Sequence, residues 1–239
     1  MSTETDDAPP LPPDAGPSEG SLLPTAVVDC DHPAVQGFAH EYARGANDRE
    51  RAVSLFNAVR DGFRYDPYRA ADLTVHGMRA STVLAVGAGW CVTKATLLTA
   101  ACRAVGIPAR LGFADVRNHL STKRLRQAMQ TDVFVWHGFS EIWLDSAWRK
   151  ATPAFNTDLC EKFGLVPLEF NGMNDSLYHL FDRSGQRHME YLRHHGSFND
   201  VPLKRILADF VRVYSGWRSA AHQLTTADFE RDVAKRTLS

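Results

Sequence analysis

The chain of 239 residues has almost no net charge, few cysteines and no long apolar run, and each shortage removes a class of function. Its 27 Lys and Arg nearly cancel 28 Asp and Glu, leaving a formal charge of -1. No global field gathers phosphate backbones or anionic lipid, so neither nucleic acid nor a membrane is expected as a partner. The longest apolar runs, such as Leu97 to Cys102, fall far below the ~20 residues of a membrane helix. The first residues also lack a basic stretch followed by an apolar one, and a cytoplasmic location is the expectation. Cys30, Cys91, Cys102 and Cys160 have neither the short paired spacing of a zinc site nor the density of a disulfide scaffold. No metal or organic cofactor is expected. The segment from His188 to His195 contains no HExxH arrangement, so His194 and His195 read as polar surface, as does His119 in its loop.

What is present falls into three parts. Residues 1–24 hold Pro9, Pro10, Pro12, Pro13, Pro17 and Pro24 among acidic residues, with little to bury, and read as a disordered acidic tail. Residues 25–239 read as a single domain, with the motifs at 48–156 and a C-terminal extension at 157–239. Apolar residues from Ala52 to Phe63 recur at helical spacing behind Asn47 or Asp48 as cap. A second helix runs from Val92, with Ala95, Leu98, Ala101, Cys102 and Val105 along one side, and stops at Gly106 and Pro108. Ala109 to Val116 and Val133 to Leu144 read as strands, the latter turning at Asp145-Ser146-Ala147 into a strand that Pro153 ends. Further on, a turn is expected at Asp182 to Gly185, and helices at Leu203 to Tyr214 and Ala227 to Lys235.

Chemistry concentrates at Gly89-Trp90-Cys91. A thiol attacks carbonyls as thiolate, and free N–H groups at a helix N-terminus favour that charge. Cys91 opens such a helix, and the glycines before it allow a substrate close approach. Cys102 lies ~16 Å further along the same helix, inside the apolar stripe, and reads as core. The nucleophile needs a base. Strand alternation places Val133, Val135, His137, Phe139 and Trp143 on one face, and if the Cys91 helix packs there, a rigid strand carries His137 to the thiol.

GWCVTKATLLTAACRAVGIPARLGF, the later HGFSEIWLDSAWRKATPAFN and the earlier FNAVRDGFRYDPY together resemble the bacterial transglutaminase-like superfamily, over roughly Asp48 to Asn156. The resemblance implies a papain-like α+β fold in which a nucleophile helix packs on an antiparallel sheet, with extra C-terminal helices. It carries the nucleophile over to Cys91 and the base to His137. The family usually has Asp-Pro where this chain has Thr152-Pro153, so an uncharged hydroxyl stands where the imidazole is normally oriented by a carboxylate. Asn156 and Asp158 are the nearby substitutes.

The expected reaction is acyl transfer on an amide of a peptide, protein or small molecule. His137 takes the thiol proton, Cys91 attacks the carbonyl, and water resolves the acyl-thioester in preference to an amine. The competing expectation is a catalytically weak or inactive peptide-binding module, for which Thr152 is the argument.

Overall fold

The structure, a computed structural model, describes residues 8–13, 15–118, 121–177 and 189–237. Helix α1 (Pro33–Tyr42) starts on a proline, with His32 capping the Ala34 N–H. Helix α2 (Asp48–Gly62) is capped by Asn47, whose side chain accepts the Glu50 N–H at 3.0 Å, and it buries Ala52, Leu55, Phe56 and Val59 as its spacing predicts. Strand β1 (Arg64–Tyr65) pairs in parallel with β2 (Ala88–Gly89), and α3 (Val75–Met78) and α4 (Ala80–Val86) lie between them in sequence. One residue after β2, helix α5 (Cys91–Ala104) begins.

The main sheet is antiparallel and runs in the order β5-β4-β3-β6. It consists of β3 (Ala109–Asn118), β4 (Val133–Leu144), β5 (Ala147–Ala151) and β6 (Met189–Phe198), with α6 (Lys123–Met129) and α7 (Thr157–Phe163) in the connections. β4 and β5 form a hairpin whose turn residues, Asp145 and Ser146, have φ of 49° and 63°, as a two-residue primed turn requires. Three helices close the chain: α8 (Leu203–Val213), α9 (Trp217–Thr225) and α10 (Phe229–Thr237). The fold is α+β, and α5 packs on one face of the antiparallel sheet.

Helix α5 is buried on every side because α1, α2 and α4 cover what the sheet does not. Its polar residues therefore bond inward. Lys94, fully buried, donates to the carbonyls of Arg60 and Phe63 at 2.8 and 2.6 Å. Arg103 donates to the carbonyls of Ala109, Leu23 and Asn199, each at 2.8 Å. These bonds supply the α2 end, the start of β3 and two loops with donors they would otherwise lack.

Two expectations need correcting. The row of β4 that meets α5 is Gly138 and Ser140, not the row of His137: Ser140 Oγ donates to the Ala95 carbonyl at 2.9 Å, and a Cβ on Gly138 would lie 2.9 Å from Val92 Cα. Small side chains let the helix approach there. Alternation also breaks at a β-bulge, since Ala114 faces His137 while Val116 faces Phe134, leaving Val135 and Trp136 opposite Asp115. The N-terminal segment, moreover, is not disordered over residues 8–13 and 15–24. Leu11 N–H donates to the Ser197 carbonyl at 2.8 Å, Arg110 donates to the Pro13 carbonyl at 3.1 Å, and Trp148 Nε1 donates to the Ala15 carbonyl at 2.7 Å. An extended proline-rich stretch makes few internal hydrogen bonds, here Ala15 N–H to the Pro12 carbonyl at 3.2 Å, which leaves other carbonyls for donors on the sheet.

Candidate active site

Trp90 sits at the N-cap of α5 in extended conformation, and Thr93 Oγ1 accepts its N–H at 3.0 Å. Gly89 is required beside it, because a Cβ there would meet Thr93 Oγ1 at 2.6 Å. Cys91 is the first residue of α5, and the backbone N–H groups of Gly138, Val92 and Cys91 each favour its thiolate. Gly138 thus has two functions: its missing side chain admits α5, and its N–H reaches the thiol.

His137 and Cys91 line one narrow cavity of about 30 Å³, together with Trp90, Tyr65 and Tyr214. The structure therefore brings the two expected residues together, although through the tip of α5 and not through a shared sheet face. The bulge before His137 is held from several sides. Trp136 adopts φ of 60°, a left-handed conformation that costs a non-glycine residue about 1 kcal/mol or more. Asp115 accepts its N–H at 3.1 Å, and Asp209 of α8 accepts its indole N–H at 2.8 Å. His195 stacks on the Trp136 ring at 4.0 Å and bonds Asp115 at 2.6 Å. The expected surface role for His195 is thus corrected: it lies on strand β6, half-buried, as part of the support beneath His137. His194 is exposed, as expected, and His119 and His188 lie outside the described residues.

Both candidate catalytic groups are neutral at rest. Burial pushes the Cys91 thiol up to about 11, although the N–H groups of Gly138, Val92 and Cys91 pull it the other way. Burial alone pushes the His137 imidazole down to about 4.

Of the three residues considered for the third position, Thr152 shares a cavity lining with His137. Thr152 and His137 line a second, smaller cavity with Ala154, Phe155, Leu168, Leu177 and Met189. Thr152 Oγ1 and His137 Nε2 are both buried and lack a hydrogen-bond partner among the described residues. Asn156 is engaged elsewhere, its Oδ1 accepting the Tyr65 N–H at 3.2 Å, and Asp158 is exposed in the first turn of α7. Among the described residues no group of three His, Cys, Asp or Glu side chains is placed to hold a metal, and no described helix is long and apolar enough to cross a membrane.

Sequence reasoning missed the roof of the Cys91 cavity. Leu125 and Met129 of α6, Phe210 of α8, Tyr214 at its C-cap and Trp217 of α9 close it, and Tyr214 Oη accepts the Val135 N–H at 2.8 Å. The strong amphipathic pattern of Leu203, Ile206 and Phe210 marked a helix without saying which surface it covers.

Residues 36–153 match the family model of the transglutaminase-like superfamily, and this segment belongs to that superfamily. Among solved structures, a candidate cysteine protease from Cytophaga hutchinsonii is 20% identical with a TM-score of 0.41, over 56% of this chain and 40% of that one. A candidate protease from Parabacteroides distasonis is 16% identical with a TM-score of 0.34, over 53% of this chain and 25% of that one. The chain therefore spans less than half the length of either. No curated protein matches it.

Proposed function

We propose that the protein catalyses cysteine-dependent acyl transfer from an amide or peptide bond, with Cys91 as nucleophile, His137 as general base and water as the preferred acceptor. The observation that carries this reading is the shared cavity of Cys91 and His137, with three backbone N–H groups aimed at the sulfur. Because the pair rests neutral, proton transfer accompanies attack: His137 accepts the thiol proton as the Sγ–C bond forms, and the tetrahedral oxyanion is held by nearby N–H donors. Trp90 Nε1, buried and without a hydrogen-bond partner among the described residues, adds such a donor beside Cys91. The C–N bond then breaks as the imidazolium returns the proton to the leaving amine. Water, deprotonated by His137, cleaves the thioester and restores the thiol. Hydrolysis demands less room in this narrow cavity than an incoming amine would.

The second reading is a weak or inactive peptide-binding module. It is favoured by a thiol near 11, an imidazole near 4, and Thr152 where a carboxylate would raise the imidazole. One experiment separates the two. The protein is incubated with a 4-nitrophenyl ester, and the acyl adduct is located by mass spectrometry in wild type, Cys91→Ala and His137→Ala. Adduct on Cys91 that collapses in His137→Ala supports the enzyme. Adduct spread over the cysteines, or unaffected by His137→Ala, leaves the binding module.

A further inference from the structure

We infer that the site selects a short, uncharged, apolar acyl group, and that the C-terminal helices supply part of the selecting surface. The inference rests on the acyl-transfer reading above and adds the chemical class of the group transferred. The Cys91 sulfur fixes where the reacting carbonyl must lie. From there the cavity continues between Leu125 and Met129 of α6, Phe134 of β4, and Phe210 and Trp217 of α8 and α9. None of its described lining residues is acidic, and the one basic residue among them, His137, is held neutral near pH 7. The other polar side-chain groups there, the Trp90 indole N–H and the hydroxyls of Tyr65 and Tyr214, are neutral and supply no counter-charge. A carboxylate or ammonium carried on the acyl chain would be desolvated against this surface without a counter-charge, a loss that aliphatic carbon does not suffer.

The cavity, about 30 Å³, is narrow, which disfavours a bulky or branched chain. Met129 is its most adaptable wall, since an unbranched thioether can change rotamer at little cost. Phe134, only half-buried, closes one side and sets how long a chain fits. Phe210 and Trp217 lie beyond the family segment 36–153, whereas Leu125, Met129 and Phe134 lie within it, so the extension completes a selecting surface that the segment begins.

The test compares 4-nitrophenyl butyrate with the 4-nitrophenyl monoester of succinic acid. Their acyl chains have equal length, and one carries a terminal carboxylate. In each case the Sγ–C bond forms and the C–O bond breaks, with nitrophenolate leaving. The adduct on Cys91 is quantified by mass spectrometry, with Cys91→Ala as background. Butyryl is expected to label at least tenfold faster than succinyl. Equal labelling by both esters, or faster labelling by succinyl, overturns the inference and leaves the acyl-transfer reading standing. Labelling of Cys91 by neither ester overturns both.

Discussion

Helix α5 carries a cysteine at each end of its length, and the two are buried almost alike, Cys91 at 6% exposure and Cys102 at none. Burial is the largest influence on both thiols, pushing Cys102 up to about 12 and Cys91 up to about 11. The difference comes from their surroundings. Cys91 has free N–H groups at the helix start and the Gly138 N–H from the sheet, whereas Cys102 sits inside the hydrogen-bonded body of the helix. A helix N-terminus alone thus leaves a buried cysteine a protonated thiol. What sets Cys91 apart is a cavity whose lining it shares with the His137 imidazole, and backbone N–H groups that lower its pKa.

The largest effect expected from breaking that arrangement is at His137. His137→Ala should lower acylation of Cys91 by about 10²- to 10⁴-fold, the range general-base catalysis supplies, while labelling of Cys102 stays at its background. A loss below tenfold would mean that the thiol finds its base elsewhere.

Next in size is the acid stability of the fold. The unfolded His137 titrates near its ordinary value of 6.5, whereas the folded residue stays neutral down to about 4. Between those values the unfolded state binds the extra proton, so stability falls as pH drops from 6.5 to 4. The full loss is on the order of 3 kcal/mol by linkage. Urea unfolding at pH 7 and pH 4 should show it, and His137→Gln should remove most of the difference. Lys94 acts at the other end of the scale. Its amine is pushed down to about 7 by burial, so stability should rise between pH 7 and 10.5 as the unfolded state alone keeps the proton. A neutral amine has two N–H groups, which matches the two carbonyls it reaches.

A smaller effect is expected at Thr152. Thr152→Asp places a carboxylate in the cavity that also holds His137, which should raise the imidazole and, through it, favour the Cys91 thiolate. Alkylation of Cys91 by iodoacetamide at pH 7 should then rise at least tenfold with Cys102 unchanged. A folded variant with unaltered Cys91 reactivity would show that Thr152 does not act on the dyad.

The sequence made parts of this legible because they depend on local pattern. The Asn47 cap, the α5 stop at Gly106, the hairpin at Asp145 and the placing of Cys91 and His137 on one cavity all follow from residues close in the chain or from the family motif. The face of β4 that meets α5 was misread, since a bulge at Trp136 shifts side-chain parity and only its partner Asp115, 21 residues away, shows where it lies. The proline-rich segment was misread for a similar reason: the donors that hold it, Arg110 and Trp148, lie on the sheet. The cavity roof was invisible because Phe210, Tyr214 and Trp217 meet Cys91 only after the chain has crossed the whole sheet.

The smallest effect expected, at Cys102, sharpens the contrast between the two ends of α5. Cys102 is fully buried, its pKa raised first by desolvation, and it contributes packing and no reactive group. Cys102→Ala removes one buried sulfur and should lower stability by about 1 kcal/mol, at the low end of the range for deletions of buried atoms. Acylation of Cys91 should stay within a factor of two of wild type, because the donors and the base at the far end of the helix are untouched. If acylation falls in step with stability instead, the two ends of α5 are coupled through its packing on the sheet. The distinction between a reactive and a structural cysteine would then belong to the whole helix and not to its first turn.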